Sequence, residues 1–479
     1  MPPVAVYMLC AALAPAVSIG SILLLLDAGF HAYWPAFSDD VTFNHQIRTF
    51  ATAGFSGGYY TIGELPAPAS FTHFGPHGPF YPALYGLLLW PFGAPVSGPI
   101  WVHHGLMYAA TLLGLVLARP NAATALSVAV VITTFWPAIS MLTASMQEGL
   151  HFSIAVFGAA AVLHGRARIG ATLYAAASLV RPTWAFGLIT LIRKPTSVAS
   201  FASLVGGVAL LSVGSLLIFR FLAAPVPTGI VERAQDAFGS GGAGSQAASL
   251  AIYYAQRVLA NLTFVVSPSR WQPLEGQVLV LSAVALVLAF RREADWRLRM
   301  SALGLAGMLA LVMVFYDAGG YRGFRILGPF TLLALVIGVL SADSKKVAVL
   351  LIGINLLFVG SFVQFVHQNR GPVFSSDHSN FAKIADDLSE RMRFDIAADP
   401  WCNTVLVDHT DFGAIVATIP PAFGLSVVAN PKRMPDHPRS AFVMISSGSA
   451  ETMKFPYEVV YRSGEFSVLR NLLRECKKK

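Results

Sequence analysis

The sequence predicts a mainly α-helical, polytopic membrane protein of about eleven transmembrane helices, followed by a small extracytoplasmic α/β domain. Of its 479 residues, 55% are hydrophobic and 12% are charged, about half the charged fraction of a soluble domain. The apolar residues form long runs, and the basic residues collect in alternate loops between them. This composition excludes a soluble enzyme and a disordered chain, and three cysteines exclude a disulfide-stapled scaffold.

Eleven apolar runs come near the length of about 20 residues that crosses a bilayer. The first lacks a basic region before it and stays apolar too long for a signal peptide, so we interpret it as an uncleaved span. The predicted spans are roughly 4–26, 99–118, 122–141, 148–163, 169–180, 183–192, 198–222, 276–290, 300–316, 326–341 and 347–366.

Two segments decide the topology. The stretch Phe80 to Gly93 is short, carries two prolines and lacks charged flanks, which favours a helix along the interface. The run 169–192 contains Arg181-Pro182 at its middle. A single span would bury this arginine at the bilayer centre, and the proline disfavours a continuous helix. We therefore predict two short helices with Arg181 at their turn.

The distribution of basic residues fixes the predicted orientation. With the N-terminus in the cytoplasm, the short inner loops hold eleven basic residues and three acids (Glu293, Asp295, Asp343), as the positive-inside rule requires. The net charge of +8 is therefore a topology signal, and we expect no nucleic-acid partner. The basic residues are Arg119, Arg166, Arg168, Arg193, Lys194, Arg291, Arg292, Arg297, Arg299, Lys345 and Lys346.

The predicted organisation is a membrane domain over 1–366, with outer loops 27–98 and 223–275, and an extracytoplasmic α/β domain over 367–479. An amphipathic pattern near 379–393 predicts a helix in the latter domain. Cys402 and Cys476 both lie there, so a disulfide between them is possible. Strand-like runs occupy Thr404–Val407, Ala441–Ile445, Tyr457–Tyr461 and Phe466–Leu469.

The candidate functional residues gather on the outer side. Asp39 and Asp40 follow the first span, and paired carboxylates near a membrane are costly unless they bind a cation or accept a substrate proton. Ser38 or Asp39 capping a helix that begins near Val41 is the alternative. His73 and His77 offer neutral donors or a proton relay, or are structural; no third ligand makes them a zinc site.

Glu148, Arg181 and Arg325 belong to three further outer or membrane-depth segments. Glu148 either serves function or supplies N-terminal charge to its helix. Arg181 is a functional candidate by its depth, with a structural ion pair to Glu148 as the alternative. Tyr321, Arg322 and Arg325 open the tenth span; the arginines suit a clamp on a lipid-linked phosphate, or merely snorkel to the interface.

The order of these motifs resembles the GT-C superfamily of membrane glycosyltransferases, most closely its protein-mannosyltransferase and aminoarabinose-transferase branch. The shared order is an acidic pair, a segment from His77 to Tyr81 entering an amphipathic helix, an outer Glu, an Arg-Pro and an Arg-rich late span, over roughly 1–340. The resemblance implies Asp39 or Asp40 as general base and a donor sugar linked to polyprenyl phosphate.

The resemblance also implies the reaction's setting. A hexosyl or pentosyl group would pass with inversion to a lipid, envelope glycan or protein at the outer face of a bacterial inner membrane. Asp39 and Asp40 would hold a divalent metal (Mg or Mn) if one is used, as in the oligosaccharyltransferase branch. A transporter or lipid flippase is the alternative, but it would carry midplane charges and half-repeats. A structural or sensory role would explain the tail and leave the acidic pair unexplained.

Overall fold

The computed structural model describes most of the chain. The described residues are 3–54, 61–62, 64, 78–194, 196–219, 243–272, 274–292, 294–316, 319, 321–341, 344–375, 378–392, 399–408, 413–428, 435–446 and 453–476.

Helices dominate the described part of the chain. They are α1 (Pro3–Leu26), α2 (Ser38–Ala53), α3 (Phe80–Leu89), α4 (Gly98–Ala118), α5 (Ala122–Thr134), α6 (Trp136–Met141), α7 (Glu148–Leu163), α8 (Ala167–Val180), α9 (Val198–Ile218), α10 (Ala243–Val265), α11 (Glu275–Ala289), α12 (Trp296–Phe315), α13 (Tyr321–Ser341), α14 (Ser344–Leu357), α15 (Val359–Asn369) and α16 (Ser379–Arg391).

The apolar helices make this a multi-pass membrane protein. Within the described ranges, four helices are long and apolar enough to cross a bilayer: α1, α4, α9 and α12. The pair α14 and α15 adds a fifth if their 48° bend marks one broken span. Helices α5, α7, α8, α11 and the later part of α13 are apolar but shorter. The count of eleven spans therefore stays a prediction.

Two of the predicted breaks are present. Helix α8 ends at Val180, and Arg181 has an extended backbone (φ −144°, ψ 115°) before a 3-10 helix over Pro182–Leu191. The two-helix interpretation of 169–192 is thus confirmed. Helix α3 and a 3-10 turn at Trp90–Phe92 occupy the predicted interfacial stretch, which ends at Gly93 in the left-handed region (φ 69°). Its position along the interface stays a prediction.

Helix α7 lies at the centre of the membrane domain. It packs against α4 and α13, and almost all of its residues are buried. Close approach to α4 depends on Gly149, because a Cβ there would stand 2.5 Å from the His103 ring. The first residue of α7 is Glu148, so this packing carries a carboxylate into the interior.

The C-terminal region forms a six-stranded mixed sheet. Its strands are β1 (Thr61–Ile62), β2 (Thr404–Asp408), β3 (Gly424–Val428), β4 (Phe442–Ser446), β5 (Tyr457–Arg462) and β6 (Phe466–Asn471). The spatial order is β1-β3-β2-β4-β6-β5, with parallel pairing from β1 to β4 and antiparallel pairing through β6 and β5. All four predicted strands and the predicted helix are present, and Cys402 is bonded to Cys476.

The edge strand β1 comes from the segment between α1 and α4 rather than from the C-terminal region. Beyond it, both carboxylate oxygens of Glu64 accept hydrogen bonds from the backbone, from Arg439 N at 2.7 Å and Ser440 N at 2.8 Å. Trp34 of the same segment belongs to the sheet's hydrophobic core and donates to Ala414 O at 2.8 Å. Described residues on both sides of the acidic pair, Trp34 and Glu64, therefore contact the C-terminal region.

Candidate functional site

The acidic pair lies in the first turn of α2. This helix begins at Ser38, and its N-cap residue is Phe37, which forms no side-chain capping bond. The alternative interpretation, in which Ser38 or Asp39 caps a helix that begins near Val41, is therefore wrong, because both residues lie inside a helix that starts about one turn earlier. Both carboxylates are instead in the first helical turn, where the helix dipole favours negative charge. Adjacent positions on a helix point about 100° apart, so the two face different surroundings.

Asp40 faces inward and is fully buried. Its Oδ1 accepts hydrogen bonds from Tyr33 Oη at 2.9 Å and from the backbone N–H of Ser145 at 2.5 Å. Burial raises the pKa of the Asp40 carboxyl to about 6, although the charge of Arg370 and these two hydrogen bonds oppose the rise. Asp40 thus joins α2 to the turn before α7.

Hydrogen bonds extend from Asp40 through Ser145. The Ser145 hydroxyl lies 2.6 Å from Tyr33 Oη and accepts from Asn44 Nδ2 at 2.9 Å. Tyr81 donates to the Ser145 carbonyl at 2.6 Å and is also fully buried. In the structure Tyr81 therefore supports this turn, and its predicted contact with substrate stays a prediction.

A cluster of four charged side chains lies beside this network. Arg325 of α13 donates from Nε to Glu148 Oε1 at 2.7 Å and from Nη1 to Asp39 Oδ2 at 2.8 Å. Arg181 donates from Nη2 to the same Glu148 oxygen at 2.5 Å, and from Nη1 to the Arg325 carbonyl at 3.1 Å. The ion pair considered for Arg181 is confirmed, and Arg325 takes part in it.

Exposure rises in one direction across the cluster. The Glu148 side chain is 0% exposed, those of Arg181 and Arg325 are 13% and 12% exposed, and that of Asp39 is 44% exposed. The cluster is thus anchored at Glu148 and opens at Asp39. A carboxylate at the open end can accept a proton from an approaching hydroxyl group, and guanidinium groups behind it can hold a phosphate.

Some predicted site residues lie outside the part of the chain that the structure describes. These are His73 and His77, together with the side chains of Tyr321 and Arg322, whose backbone belongs to α13. Their assigned roles stay predictions. Asp39, Glu148, Arg181 and Arg325, which come from four separate segments, are brought into one cluster.

The acidic pair does not fit a divalent-metal site as it stands. Asp40 is engaged with Tyr33 and Ser145, whereas Asp39 is engaged with Arg325. Among the described residues, no group of three His, Cys, Asp or Glu side chains is arranged to hold a metal ion. We therefore assign Mg or Mn no ligands here and derive no chemical step through a metal.

Residues of the site that were not predicted from the sequence include Tyr33, Ser145 and Arg370. Ser145 acts partly through its backbone N–H, which every residue but proline provides, so its side chain gives only a weak signal. Arg370, at the end of α15, is buried and donates to the Ser140 carbonyl from Nη2 at 3.0 Å. It also supplies positive charge toward Asp40. An arginine directly after an apolar run is the signal that could have found it.

The fold is that of the GT-C integral-membrane glycosyltransferases. ArnT from Cupriavidus metallidurans, an aminoarabinose transferase solved with undecaprenyl phosphate bound, aligns over 97% of each chain with a TM-score of 0.51 and 12% identity. The oligosaccharyltransferase of Archaeoglobus fulgidus, solved with Zn and sulfate, aligns over 96% of this chain and 73% of its own, with a TM-score of 0.51 and 11% identity. No family model and no curated sequence matches the chain.

Proposed function

We propose that this chain is an inverting glycosyltransferase that moves a sugar from a polyprenyl-phosphate-linked donor to a lipid, envelope glycan or protein acceptor. The observation that carries the proposal is the cluster of Asp39, Glu148, Arg181 and Arg325, which combines an open carboxylate with two arginines. The undecaprenyl phosphate bound to ArnT supports a lipid-phosphate partner for the shared fold. The reaction would take place at the outer face of a bacterial inner membrane.

Asp39 is the proposed general base. Its side chain is 44% exposed, whereas Asp40 is fully buried and already accepts two hydrogen bonds through Oδ1. A base must reach the proton that it removes. Asp40 is therefore assigned a positioning role, because it holds the first turn of α2 against Ser145 and so sets where Asp39 stands.

The proposed step balances as a single displacement. Asp39 takes the proton of an acceptor hydroxyl, and the oxygen attacks the anomeric carbon from the face opposite the phosphate. The bond between that carbon and the phosphate oxygen breaks, and its electron pair leaves with the polyprenyl phosphate. Arg325 and Arg181 stabilise the charge that develops on the phosphate, while buried Glu148 keeps both guanidinium groups in place.

The first prediction tests this assignment by the variant Asp39→Asn. Sugar transfer should fall by about 100-fold or more, the usual contribution of general base catalysis, because an amide cannot take the proton. The measurement uses the purified protein in lipid nanodiscs, a radiolabelled polyprenyl-phosphate sugar and an envelope fraction as acceptor.

The matched control is Asp387→Asn, which removes an equal charge from the exposed pair with Arg391 on α16. It should keep full activity. Transfer at the wild-type rate by Asp39→Asn would overturn the assignment of the base. A wild-type protein that transfers no sugar from any polyprenyl-phosphate donor would overturn the proposed function.

A further inference from the structure

Arg325 is shared between two carboxylates that differ in freedom. Glu148 is completely buried, is held by Arg181 as well, and begins the central helix α7. Asp39 stands at the open end of the cluster, where it forms a 2.8 Å ion pair with Arg325. Of these two carboxylates, Asp39 is thus the one that can leave Arg325.

Among the described side chains of the cluster, positive and negative charges are equal in number. Two guanidinium groups face two carboxylates, Asp39 and Glu148. A phosphate that approached Arg325 would add negative charge beside both carboxylates in a partly buried setting, where repulsion is weakly screened. The phosphate can be accommodated at low cost only if one carboxylate withdraws.

The backbone around Asp39 is held by contacts of its neighbour, whereas the Asp39 side chain is 44% exposed. The neighbouring Asp40 holds the first turn of α2 through the Ser145 N–H and Tyr33 Oη. Withdrawal of Asp39 from Arg325 therefore needs only rotation of its side chain, which occurs within nanoseconds for exposed residues.

We infer that Asp39 and the donor phosphate compete for Arg325, so that binding of the donor releases the base. The inference rests on the proposed function and deepens it, because it couples occupancy of the phosphate site to the freedom of the base. Before the donor binds, Asp39 is turned toward Arg325. Once phosphate takes its place, the carboxylate is free to turn to the acceptor hydroxyl.

The second prediction measures binding rather than activity. Undecaprenyl phosphate is titrated into the full-length protein in nanodiscs of zwitterionic lipid, and its dissociation constant is measured for wild type and variants. Asp39→Asn should bind the lipid about two- to fivefold more tightly, the range expected when an ion pair of modest strength no longer competes. By the first prediction, the same variant should lose sugar transfer.

Two comparisons make the test specific. Asp387→Asn changes the net charge equally but lies on α16, paired with Arg391, so its affinity should match wild type. Arg325→Gln should weaken binding, and adding Asp39→Asn to it should bring no further gain, because the two residues act through one contact.

Equal or weaker binding by Asp39→Asn would overturn the competition while leaving the proposed function in place, provided that wild type binds the lipid and transfers sugar. A gain of the same size in Asp387→Asn would overturn it too, since the effect would then be general electrostatics. A wild-type protein that neither binds undecaprenyl phosphate nor transfers sugar would overturn the proposed function itself.

Discussion

Asp39 and Asp40 are neighbours in sequence, yet they occupy opposite kinds of surroundings. Asp40 is buried and bound by Tyr33 and Ser145, whereas Asp39 is 44% exposed and bound by Arg325. The buried carboxylate belongs to the framework, and the exposed one is available for chemistry. The same helical turn thus serves two roles, because adjacent side chains on a helix point in different directions.

The largest expected effect concerns Glu148, the buried carboxylate that Arg181 and Arg325 both contact. Glu148→Gln should lower the free energy of unfolding by about 3 kcal/mol, because it leaves Arg181 and Arg325 without the buried carboxylate that both contact. Thermal unfolding of the protein in detergent measures the loss. If Glu148→Gln unfolds at the same temperature as wild type, Glu148 does not hold the two arginines in place. The contrast between Glu148 as the fixed partner of Arg325 and Asp39 as the mobile one is then lost.

The matched control for that variant is Glu275→Gln. Glu275 is also buried at the start of a helix, α11, and its Oε2 accepts from the backbone N of Gln272 at 2.8 Å. The replacement keeps an oxygen acceptor there, so the loss should be near 1 kcal/mol, as for a single hydrogen bond.

A smaller effect should follow from pH. Burial raises the pKa of Asp40 from 3.8 to about 6, so the folded protein binds this proton more tightly than the unfolded chain does. Stability contributed by the group is therefore present below pH 4 and is lost as pH rises to about 6. Asp40→Asn removes this dependence. Relative to wild type, the variant should gain on the order of 2 kcal/mol between pH 4 and pH 7.

Unfolding curves of both proteins across that pH range check the sign. A stability difference between wild type and Asp40→Asn that stays constant with pH would contradict the buried, proton-binding state of Asp40.

The smallest expected effect belongs to Tyr33→Phe. This variant removes one hydrogen bond to Asp40 Oδ1 and should cost about 1 kcal/mol. It should also raise the pKa of Asp40 further, because the Tyr33 hydroxyl stabilises the charged form. Tyr7→Phe is the control, since Tyr7 donates to the Pro120 carbonyl at 2.6 Å. If both variants shift the pH dependence of unfolding alike, Tyr33 has no specific link to Asp40.

The charged residues of the site were predictable from the sequence, whereas its uncharged residues were not. Asp39, Glu148, Arg181 and Arg325 stood out because charges are rare in an apolar chain and costly near the membrane. Tyr33 and Ser145 carry no such signal, since hydroxyl and backbone groups are common everywhere. The sequence could not reveal which of Asp39 and Asp40 is buried, because that depends on how α2 is oriented against the elements that it packs on.

The fold shows a similar division. Long apolar runs and alternating strands were predictable, because their periodicity extends over many residues. Strand β3 is buried along its whole length and so lacks the alternation that marks a half-buried strand. Strand β1 has two residues, too few for any sequence pattern. It is a strand because it pairs with the edge of β3.

That pairing sets a constraint on the order in which the molecule is assembled. The backbone N–H of Glu64 donates to the Ser426 side chain, 362 positions further along the chain, beside the β1–β3 pairing. Closing so long a loop is slow, and contacts of high sequence separation form late. The segment between α2 and α3 can therefore pair through β1 only after β3 has been made. A chain cut before residue 404 would lack β3 and so leave β1 without its partner strand.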